Sequence, residues 1–536
     1  MPRPGRAPRS AVRRAPGGSP SRLRPRARAR RGDAVGANGE YEVVVVGAGP
    51  TGLHLAGELA LAGVRCKIVE RRSERSKESR ALVLQARTME ELDMRGMATA
   101  VLDRGHPVRQ LEVSPGGHLI DLTVPDSAYP GVRALPQWET EEILEERADE
   151  LGVRVERGVE LTDCRQDGDR VVLSLRSGDR EWRERAAWLV GCDGARSTVR
   201  HAIGDRFEGD VLPHGILIAD VRLDSPPASP RWSGWSRGRS LSSSASAGDA
   251  TGSPSSTATG PHSDGPVPVE EVDEALRTVF GLDLGPYDAT WTSHFRINER
   301  RARTNRSGRV LLAGDAAHVH SPVGAQGLNL GVQDATNLGW KLAAVVAGRA
   351  GEELLDTYAE ERRRVCLEAV ATARRLPVRA ARQLGLRGVA RFPGIRRRAL
   401  ARVNGTSHRY RSTAGRRRRG PAGAMVGRRV PDLGLSDGRR LYEVLRSGGF
   451  VLVDQGAGSR PPVPDAWDDL VTHLPGRVRG PRGPWLGTEL FLVRPDGYCA
   501  WAGPRSRAAG DLAVVLPCWA GRRNVPRERA GAWPAG

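Results

Sequence analysis

The sequence predicts an α/β protein built around a mostly parallel sheet, and three observations carry that prediction. Tyr41–Val46 is a continuous β-branched run, the composition of a strand buried on both faces. It leads directly into Gly47-Ala48-Gly49-Pro50-Thr51-Gly52 and then a helical apolar pattern through Leu53, Leu55, Ala56, Leu59 and Ala60. Two further aliphatic runs, Ala187–Val190 and Arg309–Ala313, each pass into a Gly/Asp turn, at Gly191–Gly194 and at Gly314-Asp315.

Each element has a local signal. Gly63 closes the first helix as a C′ glycine does, and Cys66–Val69, ended by Glu70, completes a βαβ unit. A helix is expected around Thr88–Gly96, irregular strands over 106–135 and a helix over Thr140–Leu151. Val153–Leu189 alternates strands and turns, with Asp167-Gly168-Asp169 between two strand patterns. A long helix starts near Gly327 and runs to about Ala347, and Glu352–Leu376 is helical too. The basic stretch 386–420 is interrupted by Pro393 and Gly405. After Met425 strands and turns return (Phe450–Val453, Leu490–Val493), which marks a separate small C-terminal domain. Residues 225–263 hold thirteen serines and almost no aliphatic residues, a low-complexity composition.

The formal charge of +20 invites a nucleic-acid reading, but its distribution argues against one. Residues 1–39 carry a net +10 and residues 362–420 a net +18, which leaves −8 for the rest of the chain. Neither basic segment interleaves the aromatic residues on which bases stack. With only three lysines (Lys67, Lys77, Lys341), the chain has the arginine bias of GC-rich coding, and no nucleic-acid partner is expected. No apolar run approaches the roughly 18–20 residues that cross a bilayer. The Arg/Pro/Gly-rich first 39 residues lack the apolar stretch of a secretory signal and read as a disordered tail. Six scattered cysteines without a CxxC fit reduced thiols. A cytoplasmic protein with no membrane partner is expected.

Gly47-x-Gly49-x-x-Gly52 between a strand and a helix, with Glu70 eighteen residues later, is a dinucleotide-binding fingerprint. Gly47 permits the tight turn, Gly49 lets backbone approach a pyrophosphate, and Gly52 lets the helix pack on the strand. The helix start, where Ala48 and Thr51 flank a Pro50 that has no N–H of its own, offers unpaired N–H groups and a partial positive charge to phosphates. Glu70 can accept from ribose hydroxyls. These residues do not separate NAD from FAD. Asp315, at a strand end, can accept two hydroxyl protons. His318 and His320 make an H-x-H pair with no third ligand near them in sequence, and no metal is expected.

What separates the two cofactors is a resemblance. Asp193-Gly194 followed by Ala195-Arg196-Ser197-Thr198-Val199-Arg200, and Gly314-Asp315-Ala316-Ala317-His318-Val319-His320-Ser321-Pro322 with Gly327-Leu328-Asn329, have the order and spacing of group A flavoprotein monooxygenases. In these residues the chain resembles the para-hydroxybenzoate hydroxylase superfamily. Within it, the chain looks most like bacterial aromatic-polyketide hydroxylases with a C-terminal thioredoxin-like domain. The likeness runs from about Tyr41 to Val221, resumes near Pro266, is strong to Glu361 and thinner to about Trp501. It implies a Rossmann-like FAD-binding domain of the GR2 type interleaved with an α+β substrate domain. The expected division is a basic tail (1–39), the FAD-binding domain with part of the substrate domain inserted (40–222), a low-complexity segment replacing substrate-domain strands (223–265), the remainder of both domains (266–380), a basic helical linker (381–424) and a thioredoxin-like domain degenerate at its end (425–536).

The resemblance also implies roles. FAD is the cofactor, NADPH or NADH and O2 are co-substrates, and a phenolic or polycyclic polyketide substrate is hydroxylated through a flavin C4a-hydroperoxide. Glu70 and Arg71 lie by the adenosine, Arg80 and Gln137 by the FAD phosphates and ribityl chain, and Asp315 by the ribityl hydroxyls. Asp193 belongs to a segment linked to both nucleotides. Gly314, Pro322, Gly327, Leu328 and Asn329 bring backbone and a helix start to the flavin, whose N1–C2=O edge gains negative charge on reduction. No protein nucleophile is required, so no catalytic residue is assigned. Arg196 and Arg200 are read either as neighbours of the nicotinamide nucleotide's phosphate or as exposed structural arginines.

Two stretches depart from the family. Serine-rich text stands at 225–263 where the family has strands, and the pattern fades again after about Arg505, as a compensated reading-frame error would leave it. The C-terminal domain has no CxxC and so no redox centre. Competing readings are an FAD oxidase, reductase or halogenase on the same scaffold, the last disfavoured because W-x-W-x-I-P is absent, and a flavin-binding but catalytically impaired homologue. The oligomeric state has no sequence signal.

Overall fold

The run Tyr41–Val46 forms strand β1 and divides its side chains between two cores. The computed structural model describes residues 41–76, 81–113, 118–124, 126–223, 232–236, 239–242, 251–252, 255–257, 268–280, 287–320, 325–375, 393–410, 421–456, 463–464, 467–479 and 484–521. The tail 1–39 lies outside them. Val43 and Val45 face one core, with Leu53, Leu55 and Leu59 of α1 (Pro50–Leu61) and Leu338 and Leu342 further along the chain; Val44 and Val46 face the other, with Leu173, Leu189 and Leu312. A strand covered on both sides has no polar face to alternate with, which is why the run is aliphatic throughout.

After β2 (Cys66–Glu70) the chain forms β3 (Val83–Leu84), α2 (Ala86–Asp93), α3 (Ala98–Arg104), β4 (His106–Val108), β5 (Gln110–Val113), β6 (His118–Asp121), β7 (Val132–Ala134) and α4 (Gln137–Glu150). There follow β8 (Arg154–Arg157), β9 (Glu160–Asp167), β10 (Arg170–Ser177), β11 (Arg180–Gly191), α5 (Thr198–Ala202) and β12 (Phe207–Leu223). The chain continues through β13 (Trp232–Ser236), β14 (Arg239–Ser242), β15 (Thr251–Gly252), β16 (Ser255–Thr257), α6 (Val269–Phe280), β17 (Tyr287–Ala302), β18 (Arg306–Ser307), β19 (Val310–Leu312), the 3-10 turn Gly314–Ala316 and β20 (His318–Val319). Helices α7 (Gly327–Val346), α8 (Glu353–Arg375), α9 (Pro393–Val403) and α10 (Pro421–Met425) then precede the C-terminal domain.

The main sheet runs β18-β19-β11-β1-β2-β8, with β10 and β9 extending from β11. The β19-β11-β1-β2-β8 pairings are parallel. β11 serves both parts: Ala186–Gly191 pairs with β1, while Arg180–Ala186 forms an antiparallel ladder with β10. A small sheet, β3-β7-β4, lies between them in sequence. The second large sheet runs β20-β17-β12-β16-β14-β13-β5-β6, with β15 also on β12. Here the structure corrects the sequence reading. The serine-rich segment does not simply replace strands, because its described pieces form β13 to β16 and bridge β12 to the β5–β6 hairpin.

The C-terminal domain contributes β21 (Gly434–Leu435), α11 (Leu441–Leu445), β22 (Phe450–Asp454), β23 (Val471–Pro475), β24 (Val478–Arg479), β25 (Leu490–Val493), β26 (Cys499–Gly503) and α12 (Arg505–Trp519). Its sheet order is β23-β22-β25-β26, parallel between the first pair and antiparallel thereafter. That is a thioredoxin-like arrangement. A second correction falls here: the pattern does not fade at Arg505, because α12 buries Ala508, Leu512, Leu516 and Trp519 along one stripe. The domain docks through buried charges. Arg494 donates to Glu361 at 2.8 and 3.0 Å, Arg429 to Glu90 at 2.5 Å, and the Asn337 amide to Asp496 at 3.1 Å. Among the described residues no helix is long and apolar enough to cross a membrane.

Candidate functional site

The nucleotide turn is shaped by what its glycines exclude. Gly47 has φ +103°, and a Cβ on it would stand 2.5 Å from the Cys192 carbonyl oxygen; a Cβ on Gly52 would stand 2.0 Å from the Gly47 oxygen. Helix α1 can therefore close onto the turn only with these two side chains missing. A Cβ on Gly49 would meet nothing within 4 Å, so the backbone there faces open space. Gly49 is the N-cap of α1, Pro50 its first residue, and neither a side-chain cap nor an acidic residue occupies the first turn. The N–H groups at this helix start are thus left for an anion. Glu70 braces the turn: its carboxylate accepts from the Ala48 N–H at 2.8 Å and the Arg72 N–H at 2.9 Å. Each oxygen keeps a lone pair for a ribose hydroxyl. Arg71 next to it is exposed.

The opposite wall is built 260 residues later by the turn after β19 and the start of α7. Gly314 has φ +59°, and Cβ atoms added to Gly314 and Gly331 would lie 2.5 and 2.2 Å from Thr51 Oγ1. Thr51 is wedged between them. Asp315 is exposed on the 3-10 turn, and its Oδ1 lies 3.9 Å from where a Gly327 Cβ would be, so the carboxylate stands beside the first residue of α7. This helix start also lacks a side-chain cap and an acid. Leu328 packs against the core of the main sheet. The Asn329 side chain is spent within the protein. It accepts from Gln85 N at 2.8 Å and donates to Val83 O at 2.8 Å and Ala325 O at 2.7 Å. Asn329 therefore positions the helix start, and what it can offer a ligand is its place in the first turn.

Asp193 closes the site from β11. Its Oδ2 accepts from Val199 N at 3.1 Å, while its Oδ1 is buried without a hydrogen-bond partner. Burial raises this carboxyl above its ordinary value against the hydrogen bonds from Ser197 and the backbone of Val199 and Thr198. An orphaned acceptor beside Gly47 fits a polar group supplied by a bound nucleotide. Gln137, at the first turn of α4, is half-buried and donates to Glu141 at 2.8 Å. Arg80 and Pro322 lie outside the described residues. Arg196 is exposed, but Arg200 is not the exposed arginine the sequence suggested: it is buried, donates to the carbonyls of Ala316 (3.0 Å) and Ala195 (2.9 Å), and stacks on Phe207 at 3.6 Å.

Sequence reasoning missed the residue that fastens the wall. Asp334, buried on α7, accepts from Gly314 N at 2.9 Å, His318 Nε2 at 2.7 Å and Arg362 Nε at 2.5 Å. Burial works against its charge, but His318 and Arg362 hold its carboxyl well below the usual carboxylate range. The available signal was an acid in a helix whose surrounding residues, Val332 to Ala335, are buried on every side.

These walls are those of a known family. A model described as the FAD binding domain matches residues 40–373, and one described as the aromatic-ring hydroxylase C-terminal domain matches residues 423–523. Rifampicin monooxygenase of Streptomyces venezuelae is 36% identical over 511 residues, covering 90% of this chain and 99% of the relative. The solved structure of OxyS anhydrotetracycline hydroxylase from Streptomyces rimosus has a TM-score of 0.79 at 37% identity, covering 90% of this chain and 99% of that one. A ternary complex of aklavinone-11 hydroxylase with FAD and aklavinone has a TM-score of 0.72 at 26% identity, over 89% of this chain and 99% of that one. With the fingerprint turn, the α7 start and the C-terminal domain all matched, the chain belongs to the FAD-dependent aromatic-ring hydroxylases and is a monooxygenase that takes FAD as cofactor and NAD(P)H as reductant.

Proposed function

We propose that this monooxygenase hydroxylates a planar phenolic substrate of the polycyclic polyketide class, using O2 and NADPH or NADH. The observation that carries the site assignment is the pair of uncapped helix starts, α1 and α7, flanked by Glu70 and Asp315. The α1 start and the Gly47–Gly52 turn hold the pyrophosphate, Glu70 and Arg71 the adenosine ribose, and Asp315 the ribityl hydroxyls. Gln137 and Asp193 line the same path; Arg80 and Pro322 complete it by resemblance. The first turn of α7, Gly327–Asn329, directs its N–H groups and the positive end of the helix at the edge of the isoalloxazine ring, where negative charge accumulates on reduction. FAD, when bound, supplies the redox chemistry that delivers one oxygen atom of O2 to the ring. The protein's part is to orient, to exclude water and to favour the anionic flavin edge. The substrate class rests on the relatives, which act on tetracycline, rifampicin and aklavinone scaffolds. A cytoplasmic setting with no nucleic-acid or membrane partner is part of the same reading.

The test is the visible spectrum of the purified protein, then NADPH and NADH oxidation with and without planar polyphenols. A yellow protein whose oxidation is stimulated by such a substrate, with product heavier by one oxygen atom, supports the reading. Hydrogen peroxide formation without any oxygenated product would sink it.

A further inference from the structure

The sequence presents His318 and His320 as a pair without a third ligand; the fold supplies one. Strand β20 and the residue after it carry the two imidazoles, and α8 brings in the buried Cys366 thiol. One ligand atom from each of the three lies within 4.8 Å of the other two. His318 has the outer contact of a metal-bound imidazole. Its Nε2 faces Asp334 at 2.7 Å, while its Nδ1 faces His320 Nε2 at 3.1 Å. A carboxylate that takes the outer N–H of a histidine fixes the tautomer whose lone pair points inward, and Asp334 is itself held by Arg362 and Gly314. Tetrahedral zinc with Zn–N bonds of about 2.0–2.1 Å sets two imidazole nitrogens about 3.3 Å apart. The observed separation is within a few tenths of an ångström of that. The remaining His320 nitrogen, Nδ1, is buried without a hydrogen-bond partner among the described residues, so this imidazole is held through the pair alone.

We propose that His318, His320 and Cys366 bind one divalent cation of the zinc class and thereby tie β20 to α8. Two imidazoles and a thiolate are a borderline-soft donor set that selects Zn2+ over Mg2+ or Ca2+. On binding, His320 passes from its Nε2–H to its Nδ1–H tautomer, and the hydrogen bond between the imidazoles gives way to two nitrogen–metal bonds, from His318 Nδ1 and His320 Nε2. Cys366 releases its thiol proton to solvent as the sulfur–metal bond forms, and a water fills the fourth position. None of the three side chains is used by the proposed flavin contacts, so the site stands or falls independently of them.

Tag-free protein loaded with FAD is stripped with a chelator, given excess ZnCl2 or MgCl2, desalted, and assayed for metal per flavin by mass spectrometry. One zinc and no magnesium per flavin is expected. Cys366→Ala and His320→Ala should each lower zinc affinity by about tenfold or more, and zinc-edge X-ray absorption of the wild type should show one sulfur and two imidazole nitrogens. Equal zinc retention in wild type and both variants, a shell without sulfur, or no retained zinc would overturn the proposal. Flavin spectra and melting temperatures of the variants separate a lost ligand from a lost fold. If Cys366→Ala does not fold, the near-isosteric Cys366→Ser and the wild-type absorption edge still decide.

Discussion

Gly52 and Glu70 act on the same turn by opposite means, one by leaving space and the other by filling it with a charge. Gly52→Ala would force a Cβ to within 2.0 Å of the Gly47 oxygen, so α1 must move away from β1. We expect Gly52→Ala to be purified with at most about a tenth of the wild-type flavin, since an ångström of displacement at a built site commonly costs tenfold or more; the absorbance ratio of flavin to protein reads this directly. Glu70→Gln keeps the shape but replaces one acceptor oxygen by an amide that cannot accept from Ala48 N and Arg72 N together. A charged hydrogen bond is worth about 1.5–3 kcal/mol, so the FAD dissociation constant should rise by about tenfold or more with far-UV dichroism unchanged. Fluorescence titration of apoprotein with FAD is the measurement, and an unchanged constant would refute the bracing role. The glycines and Glu70 were legible because their spacing repeats a backbone requirement. Asp334 and Cys366 were not, since their partners lie 16 to 48 residues away and no local spacing announces them.

Among the elements, α8 shows how a helix can be held by titratable groups. Burial would raise the Glu361 carboxyl, but Arg494 and Lys341 hold it at about 2, below its ordinary 4.5. The folded state therefore binds fewer protons than the unfolded chain between these values. The stabilisation is complete above about pH 4.5 and is lost as pH falls toward 2. Glu361→Gln leaves Arg494 and Lys341 facing no charge from this helix and should cost about 3–5 kcal/mol at neutral pH, as breaking a buried pair does. Its melting temperature should also fall less steeply with acid than that of the wild type, which thermal scans from pH 6 to 3 would show. Strands β13 to β16 pose a different question. They link β12 to the β5–β6 hairpin, so deleting 225–263 should detach that edge of the second sheet while sparing the main sheet. The expected deletion variant is yellow, but its NADPH oxidation is no longer stimulated by substrate. These strands were illegible because serine-rich text has no apolar alternation, and their pairing comes from the ladder of the neighbouring strands.

At the scale of the whole molecule, the C-terminal domain is fastened by Arg494, Arg429 and Asp496 to α8, α2 and α7. Separate melting of the two parts would leave buried charges unpaired. Flavin release, followed by fluorescence, and loss of helix, followed by dichroism, should coincide in one transition; two resolved transitions would show that the docking contributes little. The docking charges were invisible in the sequence because a Glu in α8 and an Arg in β25's following turn look like solvated residues until the fold buries them together. The architecture itself was readable. The βαβ start, the two Gly/Asp strand ends and the C-terminal strands each carried their own signal, whereas α12 was hidden by alanines and arginines around four buried positions.

The wedging of Thr51 between Gly314 and Gly331 also sets a clock on biosynthesis. The two walls of the site are made about 260 residues apart, and at roughly 5–20 residues per second the ribosome needs about 13–52 s to pass from one to the other. Early in that interval β1 has β2 on one edge but lacks β11 on the other, and β11 in turn lacks β19 until near its end, so an aliphatic strand edge stays open to other chains. On the proposed assignment of the α7 start to the flavin, FAD is captured by the nascent chain only after α7 has emerged. The first product of translation is therefore an apoprotein with a late-closing sheet, and the yield of yellow enzyme should depend on chaperone supply during synthesis more than on the flavin present at its start.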